Sequence, residues 1–328
     1  MRRALPRAAQ YLLVLWAAST LNFLLPHMAP GDPVDYLFSG EASAALPEES
    51  RRQLRADYGV DGSLLEQYGR YWASLATGDL GVSVRHSRPV TEVLLERLPW
   101  TLALVGIAGL TSALIGTLAG VAAAWRRGGR RDVGLVSGVL ALDAMPGFWI
   151  GMLLISVFAV QLGWLPSFGA VPLSMDEGRI VWLVDVARRL VLPVATITLA
   201  TLGGTFLLAR ASMLSTLGQP YILMAEAKGV PSRRIAYRHA LRNALLPVAT
   251  NVMLGFGVLL SGAVVVETVF SYPGLGRLVY DAVIERDYPL LRGAFLLLTL
   301  GVVAANLVAD LCYPLLDPRV RRSGREQG

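Results

Sequence analysis

Three acidic residues stand in or beside long apolar runs of the sequence: Asp143, Glu267 and Asp310. A carboxylate inside a membrane costs several kcal/mol unless it is partnered, so such residues are candidates for moving protons or ions. Asp143 stands three residues before Pro146, and we interpret these two as candidates for lining a pathway. Glu267 and Asp310 lie near the predicted ends of apolar runs, where we expect structural or gating roles.

Other kinds of chemistry are missing from the sequence. A P-loop places glycine before its lysine and serine or threonine after it, but Lys228 is the only lysine and Gly229 follows it. This chain therefore has no such ATP site, and we expect ATP and Mg²⁺ to be bound by another polypeptide. The three histidines are far apart in sequence, which argues against a metal site. The single cysteine, Cys312, is expected to be a small buried hydrophobic residue.

Composition and run length predict an all-α polytopic membrane protein. Of 328 residues, 54% are hydrophobic and 16% are charged, whereas soluble domains average about 25% charged. Several apolar runs exceed the roughly 18 residues that indicate a membrane-spanning helix. We predict six transmembrane helices, at about residues 8–25, 101–124, 134–162, 190–209, 248–266 and 294–316.

Glycines and prolines predict how some of these spans begin, bend and pack. Gly116 and Gly120 give the second span a face of small residues for close helix packing. Pro146 interrupts the third span, where a proline kinks a membrane helix. We expect Pro99 to separate a short amphipathic helix from the second span, and Pro193 to lie in the first turn of the fourth.

The first apolar run, residues 11–25, follows an arginine-rich start and could be a cleaved signal peptide. A cleavage site of the Ala-x-Ala kind is missing from the residues that follow, so we predict an uncleaved first span. The predicted organisation has four parts: a cytoplasmic N-terminus with the first helix (1–27), an external segment with short helices (28–97), a five-helix core (98–316) and a cytoplasmic tail (317–328).

Charge distribution predicts the orientation of the chain. The net charge of +6 could suggest a nucleic-acid partner, but the basic residues cluster in four segments that fall on one side of a six-span protein. An excess of Lys and Arg marks the cytoplasmic side, whereas the segment 28–97 is rich in acidic residues. Both termini are therefore predicted to be cytoplasmic, in a multi-pass protein of the cell membrane, and no nucleic acid is expected.

A basic segment at residues 210–247 separates the fourth and fifth apolar runs. The spacing predicts a short helix at 221–228, a turn at Gly229, where glycine allows positive φ, and a second helix at 232–244 with Pro231 in its first turn. The polar residues of interest are Tyr221, Glu226, Lys228, Arg233, Arg234, Arg238 and Arg242. Such an element could fit a groove on a partner protein or lie on anionic lipid headgroups.

Several stretches, taken in order, resemble the inner-membrane permeases of binding-protein-dependent ABC importers, in particular the dipeptide/oligopeptide/nickel family. Glu226-Ala227 with Gly229 and Leu245-Leu246-Pro247 is similar to the "EAA" loop of these permeases. The resemblance runs from the first span to the C-terminus, and the long first external segment resembles the first of the two permease subunits. Further matching stretches are Ala29–Pro33, Gly78–Gly81, Arg88–Val90, Arg238–Ala244, Val266–Phe270, Pro273–Gly276, Arg286–Pro289 and Leu316–Arg319.

The resemblance implies a six-helix permease of the type I importer kind, which performs no bond chemistry. Its implied partners are a second homologous permease subunit, two ATP-binding subunits and an external substrate-binding protein, in a lipid bilayer. The segment Ala225-Glu226-Ala227-Lys228-Gly229 would be the coupling helix that docks on the ATPase. Many members of the subfamily have Ala-Arg-Ala-Lys-Gly there, so Glu226 leaves open the charge of the partner's contact surface.

The resemblance leaves the solute open among peptides, nickel chelates and other small solutes. Two rival functions also stay open. An ion-coupled secondary transporter would use Asp143, Glu267 or Asp310 and work without ATPase subunits, whereas a membrane scaffold would transport nothing.

Overall fold

The described chain is almost entirely helical, as the long apolar runs predict. The computed structural model describes residues 4–28, 47, 49, 61–170 and 178–316, and we name its α-helices in chain order. They are α1 Ala4–Met28, α2 Leu64–Thr77, α3 Val90–Trp125, α4 Arg130–Asp143, α5 Gly147–Leu154, α6 Arg179–Leu217, α7 Pro220–Ala227, α8 Ser232–Arg234, α9 Leu241–Val269, α10 Leu275–Ile284 and α11 Tyr288–Leu316; π-helical segments follow α5 (Ile155–Gln161) and α8 (Ile235–Ala240).

Apolar helix length agrees with a polytopic membrane protein. Among the described residues, four helices are long and apolar enough to cross a membrane: α3, α6, the helix that starts at Ser232, and α11. The bent pair formed by α4 with Gly147–Gln161 makes a fifth if it counts as one span. The first predicted span corresponds to α1, whose apolar stretch Ala9–Leu24 is shorter than the other four.

Helix boundaries that we predicted at Pro99 and Pro193 are wrong. α3 continues through Pro99, so the predicted short amphipathic helix and the second span are one helix. α6 begins at Arg179, so Pro193 lies inside the helix and not in its first turn. A proline removes one backbone hydrogen bond, and apolar or ion-paired residues on both sides, such as Asp185 with Arg189 at 2.9 Å, keep the helix continuous.

The predicted interruption of the third span at Pro146 is confirmed. α4 ends at Asp143, α5 begins at Gly147, and the two directions differ by 100°. Pro146 directly precedes α5 with an extended ψ of 139°, which is the conformation that a residue at a helix start adopts. The interruption is therefore a sharp break between two helices.

The chain divides into two units, the first formed by residues 1–100 and 274–303. Its core packs the start of α3 against α10 and the start of α11 through Val90, Leu94, Leu278 and Leu290. A capping box starts α2: the Ser63 N–H donates to Glu66 Oε2 at 2.7 Å, and this bond lowers the pKa of Glu66.

A buried carboxylate ties together two loops of the first unit. Asp287 is 1% exposed and accepts hydrogen bonds from the Ser83 hydroxyl at 2.5 Å and the Arg85 N–H at 3.1 Å. It also accepts the Leu290 N–H at the start of α11. Because burying an unpaired charge is costly, these donors fix the loop that follows α2 against the turn that precedes α11.

The second unit comprises residues 101–273 and 304–328. The close packing predicted for the glycines of α3 is confirmed, because they contact α6. A Cβ at Gly120 would lie 2.5 Å from the Phe206 carbonyl oxygen, and one at Gly116 would lie 3.0 Å from Thr205 Cβ. Small residues thus let the α3 and α6 backbones approach each other, as in other membrane helix pairs.

Some predictions lie outside the described residues. These are residues 29–46, 48 and 50–60 of the predicted external segment 28–97, which include the stretch Ala29–Pro33, and the predicted tail 317–328.

Candidate functional site

The short helix α7 ends in a turn that requires glycine. Gly229 has a φ of +70°, as its position after the predicted helix suggested. Its N–H donates to the Glu226 carbonyl at 2.9 Å, and the Val230 N–H donates to the Ala225 carbonyl at 3.1 Å. These two bonds form a Schellman motif, whose left-handed residue would cost about 1–2 kcal/mol if it carried a Cβ.

Within the second unit, a small apolar core holds α7 against α3 and α6. Ile222 is 1% exposed and packs with Val121 and Ala124 of α3, Met213 of α6 and Ala236. Burying one side chain of this size contributes about 1.5–3 kcal/mol. The α7 helix is thus packed against the ends of two predicted spans.

The other face of α7 exposes apolar side chains. Leu223 is 58% exposed and Met224 is 61% exposed, and Glu226, Ala227 and Lys228 beside them are also exposed. Exposed apolar groups rimmed by polar residues are typical of interaction sites. Our sequence analysis missed Leu223 and Met224, although their helical spacing from the buried Ile222 could have indicated them.

The basic residues of the loop lie on the helix that follows α7 and are solvent-accessible. Arg233, Arg234, Arg238 and Arg242 are all exposed, whereas Ile235, Ala236, Ala240 and Ala244 are buried. The Asn243 amide donates to the Tyr221 hydroxyl at 2.7 Å, and this contact links the segment to α7. The ten loop residues named from the sequence therefore lie on α7, on the turn at Gly229 and on the helix that starts at Ser232.

The second loop helix is not separate from the fifth span. From Ser232 to Leu260 the backbone is one continuous helix with a π-helical segment at Ile235–Ala240. The expected boundary near residue 244 is wrong, and Pro231 lies just before the helix and not in its first turn. Movement of the basic segment can therefore pass directly into a membrane-spanning helix.

An ion pair at the base of the loop was not anticipated. The Arg210 Nε donates to Asp132 Oδ1 at 2.8 Å, and a second guanidinium nitrogen donates to Oδ2 at 2.9 Å. The Gly128 N–H also donates to Asp132, whose side chain is only 5% exposed. Asp132 stands beside several arginines in the sequence, so its partner could not be identified from neighbouring residues. The actual partner, Arg210, is 78 residues away along the chain.

Asp143 lies at the break between α4 and α5, with its side chain exposed. Its carboxylate lies against Gly203 of α6, where a Cβ would clash with it. Pro146 is exposed on the same break. The two pathway candidates thus lie on one break, where Gly203 leaves room for the Asp143 carboxylate.

Glu267 and Asp310 have different surroundings. Glu267 is 0% exposed and accepts a hydrogen bond from the Thr101 hydroxyl at 2.7 Å. Asp310 is half-buried in α11. Among the described residues, no group of His, Cys, Asp and Glu has a metal-binding arrangement.

Comparison with known proteins places this helical arrangement in a family. Residues 116–322 match the model of the binding-protein-dependent transport system inner membrane component, a range that contains the loop, Asp132, Asp143 and Glu267. The chain belongs to that family. The family resemblance read from the sequence motifs is thus confirmed.

Full-length relatives support membership over nearly the whole chain. The oligopeptide transport system permease protein AppB of Bacillus subtilis is 35% identical over 308 residues, which cover 94% of this chain and 95% of AppB. The glutathione transport system permease protein GsiC of Escherichia coli K12 is 37% identical over 308 residues, 94% of each chain.

A solved structure has the same fold. A chain of the MetNI methionine ABC transporter, in inward-facing conformations, superposes with a TM-score of 0.57 at 17% identity, covering 69% of this chain and 97% of that chain. The predicted fold class, an all-α type I importer permease, is confirmed. As a transport permease of the inner membrane, this multi-pass chain works with an ATPase and a substrate-binding protein, and family membership does not favour the ion-coupled alternative.

Proposed function

We propose that this chain is one of two permease subunits that together enclose the pathway of an ABC importer, and that α7 is its contact with the ATPase. The observation that carries the proposal is the exposed pair Leu223 and Met224 on a helix fixed by Ile222 and by the Gly229 turn. An apolar helix face on a rigid support suits a groove in a partner protein.

The basic residues contribute a second part of this contact. Lys228, Arg233, Arg234, Arg238 and Arg242 give the surface a strong positive charge. We propose that they face acidic groups of the ATPase and that Glu226 faces a basic one. Anionic headgroups would satisfy the arginines, but membership of a transport family that needs an ATPase favours the protein partner.

We propose a peptide, or a small solute of related chemistry, as the cargo; a nickel chelate is the alternative. AppB is named for oligopeptides and GsiC for glutathione, and both align with nearly the whole of this chain. The solute would arrive from the external binding protein and cross between this chain and a second, homologous permease, with two ATPase subunits. This chain would itself bind neither ATP nor Mg²⁺ and catalyse no reaction.

We propose an orientation with both termini in the cytoplasm, in agreement with the basic residues of the termini and of the loop. The segment 28–97 then faces outward, toward the binding protein. We propose further that Asp143 and Pro146 line the pathway and that Glu267 and Asp310 have structural or gating roles.

Crosslinking in the assembled importer tests the docking surface. In a Cys312→Ser background, Leu223→Cys carrying a short photo-crosslinker is expected to capture the ATPase subunit. Leu65→Cys is the matched control, because Leu65 is 81% exposed but lies on α2 in the other unit. Capture of lipid alone at Leu223, or equal capture of the ATPase from both positions, would contradict the proposal.

A further inference from the structure

A cleft with polar walls lies inside the second unit, between α3, α6 and α9. Its volume is about 320 Å³, near the lower end of the roughly 300–1,000 Å³ of small-molecule sites. Ser112 of α3, Thr201 and Thr205 of α6 and Asn251 of α9 line it, together with the Phe256 ring. Three predicted spans thus contribute to one concave surface.

The polar groups of the cleft are uncharged. No acidic or basic residue is among the described residues that line it. The hydroxyls of Thr201 and Ser112 lie 3.0 Å apart, and the Thr201 hydroxyl also lies 2.8 Å from the Ile197 carbonyl. Asn251 has an exposed side chain, and its amide can both donate and accept hydrogen bonds.

Hydrocarbon is a poor occupant for such a surface. An asparagine side chain in a membrane span loses its hydrogen bonds if it faces lipid tails, because hydrocarbon offers neither donors nor acceptors. Asn251 and the hydroxyls meet on one side of three helices, whereas the Phe256 ring and Leu259 supply apolar wall. A solute with amide groups can form hydrogen bonds with Asn251 and the hydroxyls, and can pack against Phe256 and Leu259.

Glycines set the shape of the cleft. A Cβ at Gly109 would lie 2.9 Å from the Phe256 ring, so the contact between α3 and α9 is tight. A Cβ at Gly204 or Gly255 would meet nothing within 4 Å, so these two positions open onto free space. A larger side chain at Gly204 can therefore fill the cleft without disturbing the helix packing.

We propose that this cleft binds the uncharged amide backbone of the solute as it crosses, with Asn251 as the main specificity-determining residue of this subunit. The inference rests on the proposed function and deepens it by naming the recognised group. Because the cleft carries no charge, it binds amide groups and does not select peptides by the charge of their side chains. Charge selection is left to other parts of the importer.

Chemical labelling tests whether the cleft lies on the pathway. In the assembled importer with Cys312→Ser, Asn251→Cys is expected to react with a water-soluble methanethiosulfonate reagent, and a transported peptide is expected to slow the reaction at least threefold. Val265→Cys is the control, since Val265 is 50% exposed on the same helix but does not line the cleft. An unreactive Asn251→Cys, or one that no transported peptide protects, would overturn the inference.

Uptake of a peptide mixture, followed by mass spectrometry, tests the recognised group. Asn251→Leu is expected to slow uptake of acidic, neutral and basic peptides alike by about three- to tenfold, the effect of losing one hydrogen bond. Gly204→Leu is expected to slow uptake of the same three classes because its side chain fills the cleft. Thr250→Val is the control, because the Thr250 hydroxyl donates back to the Leu246 carbonyl of its own helix. Unchanged uptake in both variants, or loss confined to one charge class, would contradict the inference.

The two proposals fail in different ways. If the wild-type importer takes up no peptide with ATP, the proposed cargo is wrong. If the wild-type importer takes up peptides with ATP and the cleft variants do so equally well, the proposed function stands and only the cleft inference is wrong.

Discussion

At the scale of single residues, Asp132 and Arg210 form the most completely bonded charge pair near the loop. Two guanidinium nitrogens and the Gly128 N–H satisfy one carboxylate that is nearly buried. Removal of one partner from a buried pair leaves the other charge without compensation. The pair fixes the turn after α3 to α6, at the start of the loop 210–247.

Asp132→Asn is expected to lower the stability of the purified complex. We expect a loss of about 1–3 kcal/mol, below the value for a fully buried pair because the Arg210 side chain is 26% exposed. Thermal unfolding in detergent measures the change. Asp61→Asn is the matched control, because the Arg70–Asp61 pair is about half exposed and such pairs contribute about 0–1 kcal/mol. Equal shifts in the two variants would contradict this reading.

Asp143→Asn is expected to change the rate or the substrate preference of uptake without loss of assembly. The carboxylate is exposed at the α4–α5 break and lies against Gly203, so its charge would meet a passing solute. Uptake kinetics across several peptides measure the effect. Asp185→Asn serves as control, since Arg189 already holds that carboxylate at 2.9 Å. Wild-type kinetics for Asp143→Asn with every peptide would exclude a role in the pathway.

At the scale of elements, the loop 210–247, which we propose as the contact with the ATPase, depends on a turn and on a continuous helix. The Schellman turn at Gly229 sets the angle between α7 and the helix that starts at Ser232. That helix continues into the fifth predicted span, so a push on α7 can be transmitted into the membrane. A rigid connection of this kind is what a coupling element needs.

Gly229→Pro is expected to abolish uptake and to uncouple ATP hydrolysis, while the subunit still inserts and assembles. Proline fixes φ near −65° and has no N–H, so it can supply neither the φ of +70° nor the bond to Glu226. ATPase activity and uptake are measured together. Gly78→Pro is the control, because Gly78 ends α2 with a φ of +75° in the other unit. ATP-driven uptake by Gly229→Pro at the wild-type level would refute the docking role.

The sequence predicted some elements better than others for physical reasons. Uninterrupted apolar runs, the Gly229 turn and the Pro146 break follow from local chemistry and are confirmed. Pro99 and Pro193 were overinterpreted as helix ends, because a membrane helix tolerates one lost backbone bond when its neighbours continue to favour helix. The Asp132–Arg210 pair depends on tertiary packing, which spacing along one chain does not reveal. The exposed face of Leu223 and Met224 could have been inferred from their helical spacing relative to Ile222.

At the scale of the whole molecule, the chain is a permease that needs partners. Its relatives AppB and GsiC align over 94% of its length, and its fold matches that of a methionine importer chain. The sequence has no P-loop lysine, so the energy for transport is expected to enter through α7 from separate ATPase subunits. The roles proposed for Asp143, Gly229 and Asn251 all depend on that arrangement.

Uptake into proteoliposomes that hold the complete importer tests this dependence most directly. With ion gradients collapsed by ionophores and ATP supplied on the side of the ATPase subunits, we expect peptide uptake that stops when those subunits are omitted. Uptake that a proton gradient drives through this chain and its second permease, with no ATPase subunit present, would contradict it.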